Sequence, residues 1–179
     1  MAKILAFSGS SGSKSINQQL VKLAAAQLNP SQVTVIDIRD YPMPIFSTDL
    51  EETDGFPENA TRLRALFTEH SGFLISMPEY NGLPPAIFKN TIDWISRMEG
   101  KIFQNKPVLL LSTSPGQRGG QTVLQNLATL LPRWGGNVVA AISIANFHDE
   151  FDASNQRLKS PQLHEILISS LRQLEQEVS

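Results

Sequence analysis

The chain contains no cysteine, and only three of its 179 residues are histidines. Without cysteine there can be no disulfide bond, no thiol nucleophile and no iron–sulfur cluster held by cysteine ligands. The three histidines, His70, His148 and His164, show neither the HExxH spacing nor any comparable metal-ligand spacing, so we expect no metal site. Thiol-based and metal-based chemistry are therefore both disfavoured.

The chain also lacks any block of like charge. Fifteen basic residues against seventeen acidic ones give a net charge of −2, and the charges are scattered. Nucleic acids and anionic membrane surfaces both require a clustered basic footprint, so neither is an expected partner. No apolar run approaches the roughly 20 residues of a membrane-spanning helix, and the run at the start is too short for a signal peptide. The composition predicts one globular domain, residues 1–179, in the cytoplasm.

Short apolar segments alternate with segments of helical periodicity along the chain. Apolar residues at helical spacing follow each predicted strand, and the last helix opens at Ser160-Pro161. Strands that are apolar on both faces and alternate with helices belong in a covered parallel sheet. The pattern predicts an α/β, three-layer, doubly wound fold with two long irregular segments, at Asp40–Gly55 and Ala145–Ser160. The predicted strands are Lys3–Ser8, Val33–Ile38, Gly72–Met77, Pro107–Leu111 and Val138–Ile144.

Ligands of open parallel sheets bind beyond the carboxyl ends of the strands. The loop after the first predicted strand is rich in serine and glycine and leads into a helix, so its N–H groups and hydroxyls suit a phosphate. The alternative is an ordinary turn in which Ser13 or Ser15 caps the helix. The Walker, dinucleotide and hydrolase-elbow motifs all fail here by at least one residue. The candidate phosphate residues are Ser8, Ser10, Ser11, Gly12, Ser13, Lys14, Ser15, Ile16 and Asn17.

Two further loops follow strands at the same predicted edge. The stretch Pro78-Glu79-Tyr80-Asn81-Gly82 combines one aromatic ring with turn residues, which suits a flat heteroaromatic ligand; alternatively, Tyr80 simply covers the helix below. The loop 112–120 contains Thr113, Ser114 and Gly116, and its glycines would allow a ligand to approach the backbone closely. Arg118 in this loop could point either to a ligand or to solvent.

The helix after the second loop carries three residues that could look catalytic. Lys89 and Asp93 are spaced i, i+4, which favours a local ion pair. Trp94 is expected in the core or at a subunit interface. We predict no catalytic side chain here.

At these loops the sequence resembles the NADPH-dependent FMN reductase family of flavodoxin-like flavoproteins, which includes bacterial quinone, azo and chromate reductases. The most specific match is Pro78–Gly82 followed by 89–94, corresponding to the family's PEYN loop and KNxIDW helix. The loop 112–120 also matches, at Ser114-Pro115-Gly116 and Gly119-Gly120. The first loop matches the GSxRxxSxN pattern at Gly9, Ser10, Ser15 and Asn17, but has Gly12 where the family commonly has arginine. Lys14 is the candidate replacement, as a point charge without the bidentate fork.

The resemblance implies a flavodoxin-like sheet with strand order 2-1-3-4-5 and a bound FMN reduced by NADPH or NADH. The first loop would hold the FMN phosphate, Pro78–Asn81 would contact the isoalloxazine ring, and Thr113 and Ser114 would close its other side. The helix that follows the loop 112–120 would direct its positive end at the flavin N1–C2=O edge. The family is typically dimeric or tetrameric, which implies a homodimer or homotetramer with the Tyr80 loop and the Trp94 helix near the boundary.

Three functions remain in competition. The leading interpretation is an enzyme that passes a hydride from NAD(P)H to FMN and then to a small acceptor, in ping-pong order, with the cofactor supplying the chemistry. The second is a flavodoxin-type electron carrier, which the scattered charge disfavours because such carriers usually have a strongly acidic face. The third is a non-redox phosphate or nucleotide module, which would leave the Pro78–Gly82 loop unexplained.

Overall fold

The computed structural model describes residues 3–29 and 32–178. Five parallel strands form the central sheet in the order β2-β1-β3-β4-β5, as predicted. Every strand-to-strand connection carries helical structure, so neighbouring strands run in the same direction. The strands are β1 (Ile4–Ser8), β2 (Val33–Val35), β3 (Gly72–Ser76), β4 (Lys106–Thr113) and β5 (Gly136–Ile144).

Helices cover both faces of the sheet, which makes the fold three-layered. On one face α1 buries Leu20 against β1 and β3, and α7 buries Leu171 against β4 and β5. On the other face α3, α4 and α5 bury their apolar side chains, with Phe67 of α3 stacked on Phe7 of β1 and α5 packed on β4 and β5. The helices are α1 (Ile16–Ala25), α2 (Thr48–Asp54), α3 (Glu58–Glu69), α4 (Ala86–Ser96), α5 (Gln121–Leu130), α6 (Phe147–Glu150) and α7 (Pro161–Val178).

The second strand is shorter than predicted. It ends at Val35, and a 3-10 turn over Ile38–Asp40 follows. Asp37 explains the turn, because its carboxylate accepts hydrogen bonds from both the backbone N–H and the guanidinium of Arg39. Local side-chain hydrogen bonding therefore overrides the apolar pattern of Val33–Ile38.

Both long segments predicted to be irregular contain regular structure. The segment Asp40–Gly55 includes α2, which Ser47 caps through a hydrogen bond from Leu50 N–H to its hydroxyl. The segment Ala145–Ser160 includes α6 and an antiparallel hairpin of β6 (Phe151–Asp152) and β7 (Arg157–Leu158). These elements are too short to produce a clear periodicity in the sequence. Ser160 caps α7 as expected, accepting from Leu163 N–H.

Candidate functional site

The three predicted loops converge on one cavity of about 510 Å³ at the carboxyl ends of β1, β3 and β4. This is the point where the strand order reverses, since β1 lies between β2 and β3. Of the predicted residues, Ser8, Ser11, Asn81, Gly82 and Gly116 do not line the cavity. The lining comprises Ser10, Gly12, Ser13, Lys14, Ser15, Ile16, Asn17, Pro78, Glu79, Tyr80, Thr113, Ser114 and Pro115.

The first loop presents the open N-terminus of α1 to the cavity. Ser15 is the N-cap, and its hydroxyl oxygen accepts a hydrogen bond from Gln18 N–H at 3.2 Å. The N–H groups of Ile16 and Asn17 belong to the first helical turn, where no intrahelical acceptor exists. The turn interpretation and the phosphate interpretation of this loop are therefore compatible. The cap orders the helix end, and the open N–H groups give it anion-binding capacity.

Asn17 has a structural task that the sequence did not reveal. Its side chain is only 2% exposed. Its Oδ1 accepts hydrogen bonds from the Ser76 hydroxyl at 2.9 Å and from Thr113 N–H at 3.1 Å, and its Nδ2 donates to Thr113 O at 3.0 Å. The amide thus joins α1 to the ends of β3 and β4. Because the side-chain amide is engaged there, the backbone N–H is the group that Asn17 can offer to a phosphate.

The remaining serines of the first loop differ in their surroundings. The Ser10 hydroxyl accepts from Gly12 N–H at 3.1 Å and lines the cavity. Ser8 is buried in β1, and its Oγ has no hydrogen-bond partner among the described residues. Ser11 is exposed. A Cβ at Gly12 would meet only Ser10 Oγ, at 3.6 Å, so the backbone at this position can accept a Cβ without a clash.

The second loop is a tight two-residue turn. Tyr80 and Leu83 exchange two backbone hydrogen bonds of 2.9 and 3.0 Å. The residues between them, Asn81 and Gly82, have φ of 54° and 79°. Positive φ at both central positions is the requirement of a type I′ turn, for which Asn-Gly is a favoured sequence. Tyr80 is 48% exposed and lines the cavity, so it does more than cover the helix below it.

Two side-chain hydrogen bonds attach this turn to α5. The Glu79 carboxylate accepts from Val123 N–H at 3.0 Å, and Asn126 Nδ2 donates to Gly82 O at 2.9 Å. Glu79 therefore supplies the cap that Gly120, the N-cap residue of α5, cannot provide. The Val123 N–H is therefore engaged by this carboxylate, and the predicted role of the positive end of α5 toward a ligand stays a prediction.

The glycines of the third loop also differ from expectation. Gly119 and Gly120 have positive φ, and a Cβ on either would overlap the side chain of Ser143 or Ser112, respectively. Glycine is required at both positions because the loop packs closely onto β5 and β4. This packing explains the two glycines without a ligand. Gly116 has open space around it. Ser114 lines the cavity and donates from its hydroxyl to Gly116 O.

The residues of α4 that were considered as catalytic candidates have structural contacts, as predicted. Lys89 and Asp93 form an ion pair of 2.6 Å, and Trp94 is fully buried in the core. Trp94 therefore presents no partner surface. Its Nε1 donates to Pro44 O at 2.8 Å, and Asn90 donates to the same carbonyl while accepting from Phe46 N–H. The two side chains hold the segment 43–46, a function that the sequence analysis missed.

The two cations whose pKa values are lowered lie in another part of the molecule. Burial lowers the pKa of Lys106, whose Nζ donates to Phe67 O and Thr68 O at the end of α3. Burial also lowers the pKa of Arg64, which donates to the carbonyls of Lys101 and Ile102. None of these residues lines the 510 Å³ cavity.

A helix N-terminus open to an anion, opposite an exposed tyrosine turn and at the β1/β3 switch point of a 2-1-3-4-5 sheet, defines the flavodoxin-like class of mononucleotide-binding proteins. Comparison with known families agrees. The model of the family described as NADPH-dependent FMN reductase matches residues 2–149. The chain belongs to this family.

Individual relatives are consistent with this membership. An uncharacterized protein of Mycoplasma pneumoniae is 34% identical over 143 residues, covering 77% of this chain and 84% of that protein. A quinone reductase of Escherichia coli is 31% identical over 117 residues, covering 65% of this chain and 60% of the enzyme. The chain thus spans about three fifths of the length of that enzyme. Among solved structures, the flavoenzyme NAD(P)H:(acceptor) oxidoreductase FerB of Paracoccus denitrificans shares the fold, with a TM-score of 0.80, 23% identity and 99% coverage of both chains.

The turn at Asn81-Gly82 allows a comparison of backbone and side-chain roles. Gly82→Val forces a β-branched residue to φ near 79° and should weaken FMN binding about tenfold or more. Glu79→Gln retains an acceptor for Val123 N–H, so it should change FMN binding and turnover by less than about threefold. Fluorescence titration with FMN and steady-state turnover of both variants measure this ranking. A Glu79→Gln variant that binds FMN normally but loses about a hundredfold in rate would instead indicate acid–base catalysis by Glu79.

Proposed function

We propose that this protein uses bound FMN to catalyse the reduction of quinones, flavins or similar small acceptors by NAD(P)H. The observation that carries the proposal is the open N-terminus of α1 facing the exposed Tyr80 turn across one cavity. The cavity volume of about 510 Å³ lies within the roughly 300–1,000 Å³ usual for small-molecule and cofactor sites. The family description and the quinone reductase relative support the same activity.

The residues present fit an FMN. The backbone N–H groups of Ile16 and Asn17, with the hydroxyls of Ser10, Ser13 and Ser15, would hold the phosphate. The hydroxyls of Ser10 and Ser15 both accept a hydrogen bond from a backbone N–H, so each keeps its own proton available for a phosphate oxygen. Lys14 also lines the cavity. It would supply the positive charge that is missing at position 12, where the family commonly has arginine and this chain has glycine.

The two other loops would hold the isoalloxazine ring. Pro78, Glu79 and Tyr80 line one side of the cavity, and Thr113 and Ser114 line another. Asn81 and Gly82 form the two central residues of the turn, and the Gly116 carbonyl accepts a hydrogen bond from the Ser114 hydroxyl. FMN bound in this site would supply the hydride-transfer chemistry between NAD(P)H and the acceptor, in the ping-pong order that we propose. The protein positions the ring and leaves Tyr80 accessible at the mouth of the cavity.

Purified protein should bind FMN more tightly than FAD, because the first loop forms a cup for one phosphate and lacks the glycine pattern for a pyrophosphate. The FMN-loaded protein should oxidise NADPH or NADH when a quinone is added. Titration with both flavins and steady-state oxidation of both nucleotides test this. Equal affinity for FAD and FMN would contradict the hypothesis that the first loop binds a single phosphate. FMN binding without NAD(P)H turnover would indicate the electron carrier, and no flavin binding would indicate the non-redox module.

The other expectations stay predictions. Among residues 3–29 and 32–178 the structure contains no helix long and apolar enough to cross a membrane. We further propose that the protein is a cytoplasmic homodimer or homotetramer whose residues 1–179 form a single domain. A second copy of the chain would cover apolar side chains exposed beside the Tyr80 turn and the Trp94 helix, including Leu83 and Ile45.

A further inference from the structure

A second cavity of about 470 Å³ lies between the β6–β7 hairpin and α7. We call it the β7–α7 groove. It shares no lining residue with the candidate FMN site. Its lining is Arg157, Leu158, Lys159, Pro161, His164, Glu165, Ile168, Ser169 and Arg172.

The periodicities of the two elements bring basic side chains together in this groove. Arg157 and Lys159 are exposed on either side of the buried Leu158, and both line the groove. On α7, His164, Ile168 and Arg172 recur every four residues and form one stripe. Three cations and one imidazole, separated by up to fifteen positions in sequence, therefore border a single concavity. The sequence does not indicate this cluster, because the chain has no run of basic residues, and the cluster forms only when the hairpin packs beside α7.

The groove has a local excess of positive charge in a chain whose net charge is −2. Glu165 is the one carboxylate in the lining. Arg157 contacts Asp152 at 3.7 Å, a long ion pair, and its side chain is 59% exposed. Within the part of the chain that the structure describes, no carboxylate lies within 4.0 Å of a Lys159 or Arg172 nitrogen.

His164 contributes its imidazole ring to the wall of the groove. Its Nδ1 is buried, and no described residue provides it with a hydrogen-bond partner. A buried polar atom without a partner is uncommon, because losing water without gaining a hydrogen bond is unfavourable. Because this nitrogen is shielded from solvent, a ligand in the groove would contact the three cations and not Nδ1.

We propose that the β7–α7 groove binds a small phosphate ester. Guanidinium groups match phosphate geometry with paired donors, and Lys159 adds a point charge. Pro161 and Ile168 provide an apolar wall for the organic part of the ligand. The volume suits a mononucleotide, and a concave groove favours a small ligand over the flat, extended contact that nucleic acid requires.

The test uses calorimetric titration of FMN-saturated protein at low ionic strength. The probes are adenosine 5′-phosphate, inorganic phosphate and adenosine. We expect adenosine 5′-phosphate to bind at one site more tightly than inorganic phosphate, and adenosine to give no saturable binding. Arg172→Gln and Lys159→Gln should each weaken adenosine 5′-phosphate binding by about tenfold or more, the effect of losing a hydrogen bond to a charged group. Both side chains are exposed, so the variants should fold and keep the parent's FMN affinity.

Arg133→Gln is the matched control, since it removes the same charge from an exposed position outside the groove. It should leave adenosine 5′-phosphate binding unchanged. Three results would overturn the proposal. The first is no binding at concentrations up to about 10 mM. The second is binding that neither groove variant weakens, which would mean that the nucleotide binds at another site, such as the FMN site. The third is tighter binding of duplex DNA with the same dependence on Arg172 and Lys159, which would make the groove part of a polyanion surface.

Discussion

Replacing Asn17 with alanine should lower the free energy of unfolding by about 3–5 kcal/mol. The substitution removes three buried hydrogen bonds and leaves the Ser76 hydroxyl and both backbone groups of Thr113 without their partner. Each buried group left unpaired costs about 1–3 kcal/mol. FMN affinity should also fall, by about tenfold or more, because Asn17 positions the ends of β3 and β4 from which two of the site's loops start.

Urea unfolding of the FMN-free protein and fluorescence titration of the folded variant measure these two effects separately. Gln19→Ala is the matched control, because Gln19 lies two residues further along α1 with an exposed side chain. Its effect should be within about 0.5 kcal/mol. An Asn17→Ala variant as stable as this control would show that the amide does not join α1 to the two strands.

Replacing Gly120 with alanine should be the second large effect, a loss of about 2–5 kcal/mol in the free energy of unfolding. Gly120 has φ of 74°, which disfavours a residue with a Cβ. That Cβ would also overlap the Ser112 hydroxyl, which donates to Met77 O at 2.6 Å. Accommodating the methyl group must displace Ser112 from the carbonyl that precedes Pro78. We therefore expect weaker FMN binding as well.

Gly116→Ala provides the comparison within the same loop. A Cβ there meets nothing within 4 Å, and the residue is not among the glycines with positive φ. Unfolding in urea should show its stability within about 0.5 kcal/mol of the parent protein. If Gly116→Ala were more destabilising than Gly120→Ala, packing against β4 would not be the main constraint on this loop. The loop would then need its glycines for contact with a ligand, as the sequence suggested.

The candidate site was partly predictable because its loops follow strand ends. Ser15 as a helix cap and Asn81-Gly82 as a turn depend on interactions within a few residues, so local sequence is informative about them. The roles of Asn17, Glu79 and Asn126 depend on partners 44 to 96 positions away. No local pattern distinguishes a buried amide that joins strands from an exposed one that binds a phosphate.

The fold class was determined by the sequence alone, because strands that are apolar on both faces and alternate with amphipathic helices have one economical arrangement, a covered parallel sheet. The tertiary structure decided which polar groups remain free for a ligand. The N-terminus of α1 stays open while Glu79 caps that of α5, and the basic side chains of β7 and α7 meet in one groove. Hydrogen bonds and charges act over a few ångströms in space, so their partners are settled only when distant segments come together.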